Sequence, residues 1–378
     1  MESREVYKYF EDRLDPILDS IREIVDIESP SHDCQGSSEV ANFIERKFGE
    51  LDANLTIVRE TVDDGHHLII RAFPANERPV LILGHTDTVH PVGSRDVNPT
   101  RIEGDQFFGC GIFDMKANIV IALEALRYFV QTEQKPPRPI TILLSCDEEI
   151  GSHTGRAIVE REAVEAAYCL VMEPSADGMV KTGRKGTGMY TIVARGLPAH
   201  AGLEPDKGVN AIVELAKQIP VIQELADRDS GTTVNVTTIK GGTTTNVIPE
   251  FAECEIDVRF STKAEADRID KALRTISPTD SRVSFEFRGG INRPPMERTP
   301  EVVRLFEKAR NLAASFGYNL DETQVGGASD GNFVAALGIP IIDGLGVHGA
   351  GAHMMTEHIF VKDIPSRATL VTLLLENL

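Results

Sequence analysis

The run Val80-Leu81-Ile82-Leu83 carries no polar residue on either parity and empties straight into Gly84-His85-Thr86-Asp87. A strand with one wet face alternates apolar and polar side chains, whereas a strand apolar on both faces has to be covered on both. This segment therefore reads as the interior strand of a sheet held between helices. Its surroundings agree. Phe10, Leu14, Ile17, Leu18, Ile21, Ile24 and Val25 recur at helical spacing and predict one amphipathic helix ending near Ser29-Pro30. Further on, the pattern predicts a helix over 37–51, strands over 55–59, 67–73 and 79–84, a helix over 115–130, a strand over 140–145, a helix over 154–164 and a strand over 168–172. Such alternation predicts a large α/β domain built on a mostly parallel sheet, with ligands gathering beyond the carboxyl ends of its strands.

From about 185 the rhythm changes to strand 187–195, helix 208–226, strands 232–240 and 251–260, helix 263–276 and strand 283–288. This β-α-β-β-α-β order is ferredoxin-like. After Gly289-Gly290 the α/β pattern resumes with helix 300–316, strand 322–325, a helix from near Ser329, strand 339–343 and helix 363–377. A chain of 378 residues exceeds one ordinary core. The expected organisation is a large domain of residues 1–184 and 291–378 with a smaller domain of residues 185–290 inserted in it. The glycine-rich crossings at 183–188 and 289–290 are the expected hinges of a cleft that opens and closes.

Charge narrows the partners. With 39 Lys+Arg against 58 Asp+Glu the chain carries −19, which argues against nucleic acid and anionic membranes, since binding to either runs on basic residues. Five widely spaced cysteines without a CxxC pair predict buried free thiols in a reducing compartment. The first residues lack a basic, then apolar, leader, and no segment approaches the roughly 20 apolar residues of a membrane span. A cytoplasmic protein is expected.

The chemistry-bearing residues follow the strands. His85 and Asp87 project from one face of an extended segment; Asp114 precedes a helix; Asp147-Glu148-Glu149 follows strand 140–145; Glu173 follows strand 168–172; His353 sits in Gly349-Ala350-Gly351-Ala352-His353. Singly, each has an ordinary explanation: a capping Asp in a turn for Asp87, a helix N-cap for Asp114, a solvated loop for 147–149. Together, five strands ending in His, Asp or Glu along one sheet edge bring the groups into one place. Carboxylates so crowded repel one another without a cation, and two His with several carboxylates are the donor set of a borderline divalent metal. Three protein ligands suffice for one ion, so the surplus predicts two ions roughly 3.5–4 Å apart sharing a water.

Gly84 to Val89, Gly109 to Lys116, Asp147 to Ser152 and Gly351-Ala352-His353 resemble the motifs of the co-catalytic zinc amidohydrolases, which include glutamate carboxypeptidase, aminoacylase, acetylornithine deacetylase and succinyl-diaminopimelate desuccinylase. The likeness covers essentially the whole chain, and the motifs come in the family's order. By position it implies that His85 and Glu173 bind one metal and Glu149 and His353 the other, with Asp114 bridging. It also implies that Asp87 orients His85 and that Glu148 is the general base. Zinc is the metal the resemblance implies, while the same nitrogen and oxygen donors accept cobalt or manganese.

In the inserted domain a loop histidine, His200, and a strand arginine, Arg259, are ordinarily solvated or ion-paired. The resemblance gives them work. It implies that His200 reaches a partner subunit's site to bind the oxyanion, that Asn246 and Arg259 touch substrate, and that the enzyme is a homodimer through this domain. Arg293 resembles the carboxylate-binding arginine of the glutamate-carboxypeptidase branch. The loop Gly326-Gly327-Ala328-Ser329-Asp330 offers backbone N–H donors around Gly327, although a plain N-cap by Ser329 explains it equally. The expected activity is hydrolysis of an N-acyl amino acid or short peptide with a free C-terminal carboxylate. A biosynthetic deacylase of acetylornithine or succinyl-diaminopimelate type is the alternative. A catalytically silent binding protein of the same fold would have no use for Glu148.

Overall fold

The computed structural model describes residues 3–51 and 54–378. These divide into two compact units, the first made of residues up to Gly183 with Arg298–Gln324 and Ser329–Leu378, the second of Arg184–Glu297 with Val325–Ala328.

The first unit is built on a six-stranded sheet in the order Thr56–Val62, Gly65–Ala72, Ile140–Ser145, Val80–His85, Tyr168–Val171, Ile341–Ile342. The last four run parallel, and the first two form an antiparallel hairpin at one edge, so the sheet is mostly parallel as the unbroken apolar strands predict. Val80 to Leu83 and all of Ile140–Ser145 are buried. Helices Ala117–Gln131 and Ile364–Asn377 pack together in the core and are buried along most of their length. Thr369 and Thr372 lie inside the latter because their hydroxyls donate to Pro365 O and Ala368 O, which satisfies them without water. The opening helix predicted as one piece is two, Ser3–Asp12 and Leu14–Val25, broken at Arg13. Strand Glu322–Val325 does not join the main sheet; it pairs with Val180–Arg184 in a separate ribbon. A small antiparallel sheet, Gly349–Ala350, His358–Phe360, Gln106–Phe108 and Arg101–Glu103, carries the loops 109–116 and 351–357.

The second unit has the order Gly186–Arg195, Ala211–Gln223, Thr233–Gly241, Phe251–Phe260, Lys263–Arg274, Ser284–Arg293, with the strands arranged 233–241, 251–260, 186–195, 284–293. That is the ferredoxin-like arrangement with its own apolar core. Gly289-Gly290, expected at a crossing, lies inside the last strand instead; Gly289 at φ +81° brings the ideal Cβ position within 2.1 Å of Met189 O, an approach open only to glycine. Among the described residues no helix is long and apolar enough to cross a membrane. The five cysteines are unpaired; four are buried as expected, whereas Cys34 is exposed.

Candidate functional site

Sheet register decides which loops meet. Val80–His85 pairs in parallel with Ile140–Ser145 so that His85 lies opposite Ser145, two residues before Asp147. On its other side Leu83 lies opposite Val171, and Met172 N donates to Leu83 O at 2.8 Å. Adjacent carboxyl ends therefore deliver His85, Glu148, Glu149 and Glu173 to one place. Asp114 arrives differently. It does not follow a strand of this sheet, but sits in the tight turn Ile112–Lys116 before helix Ala117–Gln131, and its side chain caps nothing. His353, at φ +64°, comes from the loop beyond Gly349–Ala350.

The side chains converge. His85 Nε2 lies 3.1 Å from Asp114 Oδ1 and 3.6 Å from Glu173 Oε1. His353 Nε2 lies 3.4 Å from Asp114 Oδ2 and 3.3 Å from Glu149 Oε2. Each oxygen of Asp114 thus faces a different imidazole. Two groups offer ligand atoms within 4.8 Å of one another, His85 with Glu148 and Glu173, and His85 with Asp114 and Glu149. Consecutive Glu148 and Glu149 both reach the centre, while the third acid of the run is diverted: Asp147 accepts from Thr154 N and Oγ1 and from Gly155 N, capping helix Gly155–Glu165.

Charge inside the centre is strongly coupled. Burial opposes a charge on His85, yet hydrogen bonds to Asp114 and Asp87 raise its pKa well above the ordinary imidazole value. Hydrogen bonds to Asp114 and Glu149 push His353 up to about 10. Burial raises Asp114, but the two imidazoles outweigh it and hold the carboxyl far below the usual range. Burial pushes Glu149 up against the pull of His353. The acids thus draw positive charge onto both rings. A divalent metal fits this donor set better than protons do, because neutral imidazoles and several carboxylates are its ordinary ligands. One orphaned atom agrees: Glu149 Oε1 is buried with no hydrogen-bond partner among the described residues.

A second layer holds these groups in place. His85 Nδ1 lies 2.9 Å from Asp87 O and 3.4 Å from Asp87 Oδ1, which leaves Nε2 turned to the acids. Ser31 Oγ donates to Asp87 Oδ2 at 2.7 Å. Two acids escape the sequence reasoning. Asp330 accepts from Ser145 Oγ and Ser152 Oγ on either side of the 146–151 loop. Glu357, wholly buried, accepts from Gly111 N, Phe113 N and Asp114 N. Its position four residues after His353 in the same glycine-rich segment was the available signal.

The second unit holds the remaining predicted residues. His200 is exposed, pairs with Val247, and its Nδ1 accepts from Gly202 N and Leu203 N. Asn246 is its neighbour, accepting from Ala201 N through its carbonyl at 2.9 Å. Arg259 and Arg293 pair with Thr187 from its two sides. Arg259 is bound to Asp257 at 2.8 Å and lines a cavity of about 900 Å³ on the sheet face; Arg293 is buried. Gly327 is exposed, and its carbonyl accepts from Arg184 Nη1. Ser329, in the first unit, does act locally: its Oγ accepts from Gly331 N at the start of helix Gly331–Ala336.

A two-unit α/β chain with a histidine and carboxylate centre at the carboxyl edge of its sheet has the build of a metal-dependent hydrolase. The chain belongs to peptidase family M20/M25/M40, whose model matches residues 81–377. It is 28% identical over 369 residues to carboxypeptidase G2 of Pseudomonas sp. (strain RS-16), covering 96% of this chain and 89% of that one. It is 31% identical over 325 residues to succinyl-diaminopimelate desuccinylase of Verminephrobacter eiseniae (strain EF01-2), covering 80% and 79%. Aminopeptidase PepT from Bacillus cereus ATCC 10987 shares its fold at TM-score 0.77 and 23% identity, over 96% of this chain and 98% of that chain. Family and relatives together make the chain a hydrolase of the metallopeptidase and amidohydrolase type.

Proposed function

We propose that this enzyme hydrolyses the amide bond of an N-acyl amino acid or short peptide that ends in a free carboxylate. The observation that carries the reading is the placement of Asp114, with one oxygen toward His85 and the other toward His353. In this reading His85 and Glu173 would hold one divalent ion, Glu149 and His353 a second, and Asp114 both. Zinc is the first expectation. Bound there, a metal pair supplies Lewis-acid polarisation of the scissile carbonyl and acidifies water toward neutral pH.

The chain's own groups do the rest. Asp87 keeps the His85 ring turned so that Nε2 faces the acids. Glu148, buried beside His85 and Glu173, takes a proton from water on its carboxylate oxygen and returns it to the leaving amine. His200, contributed across a homodimer of the inserted domain (185–290), steadies the developing oxyanion. Asn246 and Arg259 contact substrate, while Arg293, with backbone donors around Gly327, receives the terminal carboxylate. Two features favour a cytoplasmic enzyme: unpaired thiols and the similarity to succinyl-diaminopimelate desuccinylase. That similarity, at 31% identity, also favours the second reading, deacylation of an acyl-diamino acid.

Both are tested by metal analysis of protein purified without chelator, followed by a product-resolved screen of N-acyl glutamates, dipeptides, N-acetylornithine and N-succinyl-diaminopimelate with zinc, cobalt and manganese restored in turn. The expected result is two ions per chain and chelator-sensitive release of a C-terminal amino acid. Less than one ion per chain would remove the dinuclear reading, and turnover confined to the two diamino-acid substrates would replace the first with the second.

A further inference from the structure

We infer that Glu357 is a positioning residue that presets Asp114 and His353 for metal binding; this rests on the proposal that those two side chains are metal ligands. Glu357 is wholly buried, where a carboxylate costs several kcal/mol unless its lone pairs are filled. They are filled from three directions. Oε1 accepts from Phe113 N at 2.8 Å and Asp114 N at 2.9 Å, and Oε2 accepts from Gly111 N at 2.9 Å and lies 2.6 Å from His90 Nε2. The main chain adds a further bond, Gly109 N to Glu357 O at 3.2 Å. Gly111 stands at φ +70°, the left-handed conformation that lets successive N–H groups turn toward one anion. A Cβ on Gly111 would meet Thr88 Cγ2 at 2.4 Å, so the turn is also closed to larger residues.

The consequence lies in what Glu357 ties together. It shares a loop with His353, it grips the backbone of Asp114 itself, and through His90 it reaches the segment that carries His85 and Asp87. Three stretches far apart in sequence are clasped by one carboxylate placed behind the ligands. Asp114 has to hold both oxygens in register with two imidazoles, and small displacements of such a group weaken both contacts. The hydrogen-bonding pattern also explains why the residue is an acid. All four partners point donors at it, so an amide there would set its own N–H₂ against a backbone N–H.

The test compares full-length wild type with Glu357→Gln, each stripped of metal and titrated with Zn²⁺ against a chromophoric chelator, with the Co²⁺ absorption spectrum as a second readout. The variant is expected to keep its circular dichroism and to bind the weaker ion about 10–100-fold less tightly. Turnover should recover as Zn²⁺ is raised, with KM for the amide little changed. Wild-type zinc affinity in Glu357→Gln overturns the inference. Absence of paired metal binding in the wild type overturns instead the ligand reading beneath it. If Glu357→Gln does not fold, His90→Gln decides: a several-fold loss of zinc affinity supports the clasp, and unchanged affinity overturns it.

Discussion

Asp87 accepts the backbone N–H of Glu149 on Oδ2 at 3.1 Å while its neighbouring oxygen accepts that of Glu148 at 3.2 Å. The carboxylate expected to orient His85 therefore also fixes the loop that brings both glutamates to the centre. Asp87→Ala would leave the N–H groups of Glu148 and Glu149 unsatisfied at about 1–3 kcal/mol each and remove the 3.4 Å contact of Oδ1 with His85 Nδ1, while the 2.9 Å bond of that ring to the main-chain carbonyl of residue 87 survives. We expect a lower melting temperature together with a metal affinity reduced about 10–100-fold. Calorimetry and metal titration of the same preparation check this, and a variant that melts lower but binds metal like wild type would confine Asp87 to a structural part.

Glu148 offers the sharpest separation of chemistry from binding. Glu148→Gln keeps the side-chain shape and the backbone N–H held by Asp87, yet cannot accept a proton. The expected outcome is a kcat lower by about 10²–10⁴-fold, a KM within a few-fold of wild type and unchanged metal stoichiometry. Loss of one ion per chain in this variant would instead make Glu148 a ligand, an arrangement its closeness to His85 and Glu173 permits.

The legible parts of this site are those that a sheet delivers. His85, Glu148, Glu149 and Glu173 follow apolar strands whose parallel pairing predicts that their ends adjoin, and they do. Asp114 and His353 were legible only through the local motif, since one lies in an irregular turn and the other in a glycine loop, where no periodicity speaks. Asp330 was not legible at all, and Glu357 only through its place four residues after His353. Each acts on groups 178 or more residues away in the chain, and a lone acid in a loop looks the same whether it is solvated or buried against backbone N–H groups. The break at Arg13 escapes for a related reason: apolar spacing continues across it, so the pattern cannot register one residue whose dihedrals, φ −99° and ψ 7°, leave the helical range.

Gly346 marks a close approach that constrains the centre from the side of Glu173. Its N–H donates to Glu173 O at 2.9 Å, and a Cβ added to it would lie 2.7 Å from that carbonyl and 2.3 Å from Asn118 Nδ2. Asn118 Oδ1 in turn accepts from Val347 N at 2.9 Å, so moving the side chain aside would break that bond. Gly346→Ala is expected to cost about 1–3 kcal/mol through overpacking and to lower activity by displacing Glu173. Denaturant unfolding and kcat/KM measured together test it; full stability with full activity would show that the segment yields without disturbing the glutamate.

Glu214, nearly buried in the inserted domain, gives a pH dependence that does not involve the metal centre. It accepts from Thr279 N at 2.8 Å, Asp280 N at 3.0 Å and Thr279 Oγ1 at 2.7 Å, and pairs with Lys217. Burial pushes its carboxyl up, but the hydrogen bonds from Lys217, Thr279 and the two backbone N–H groups outweigh this and hold it at about 2, against an ordinary 4.5. A pKa depressed by folding means that the unfolded chain binds the proton more readily, so the contribution is complete above about 4.5 and is lost as pH falls toward 2. At neutral pH it amounts to as much as about 3 kcal/mol. Glu214→Gln should therefore unfold more easily than wild type at pH 7, and the gap between the two should close progressively between about pH 5 and pH 2. Taking the difference cancels the other acids that titrate in the same window. Denaturant melts of the pair across that range decide the matter, and a gap that stays constant with pH would mean that the variant is weakened by its amide N–H₂ facing the donors of Thr279 and Asp280 and not by loss of the charge.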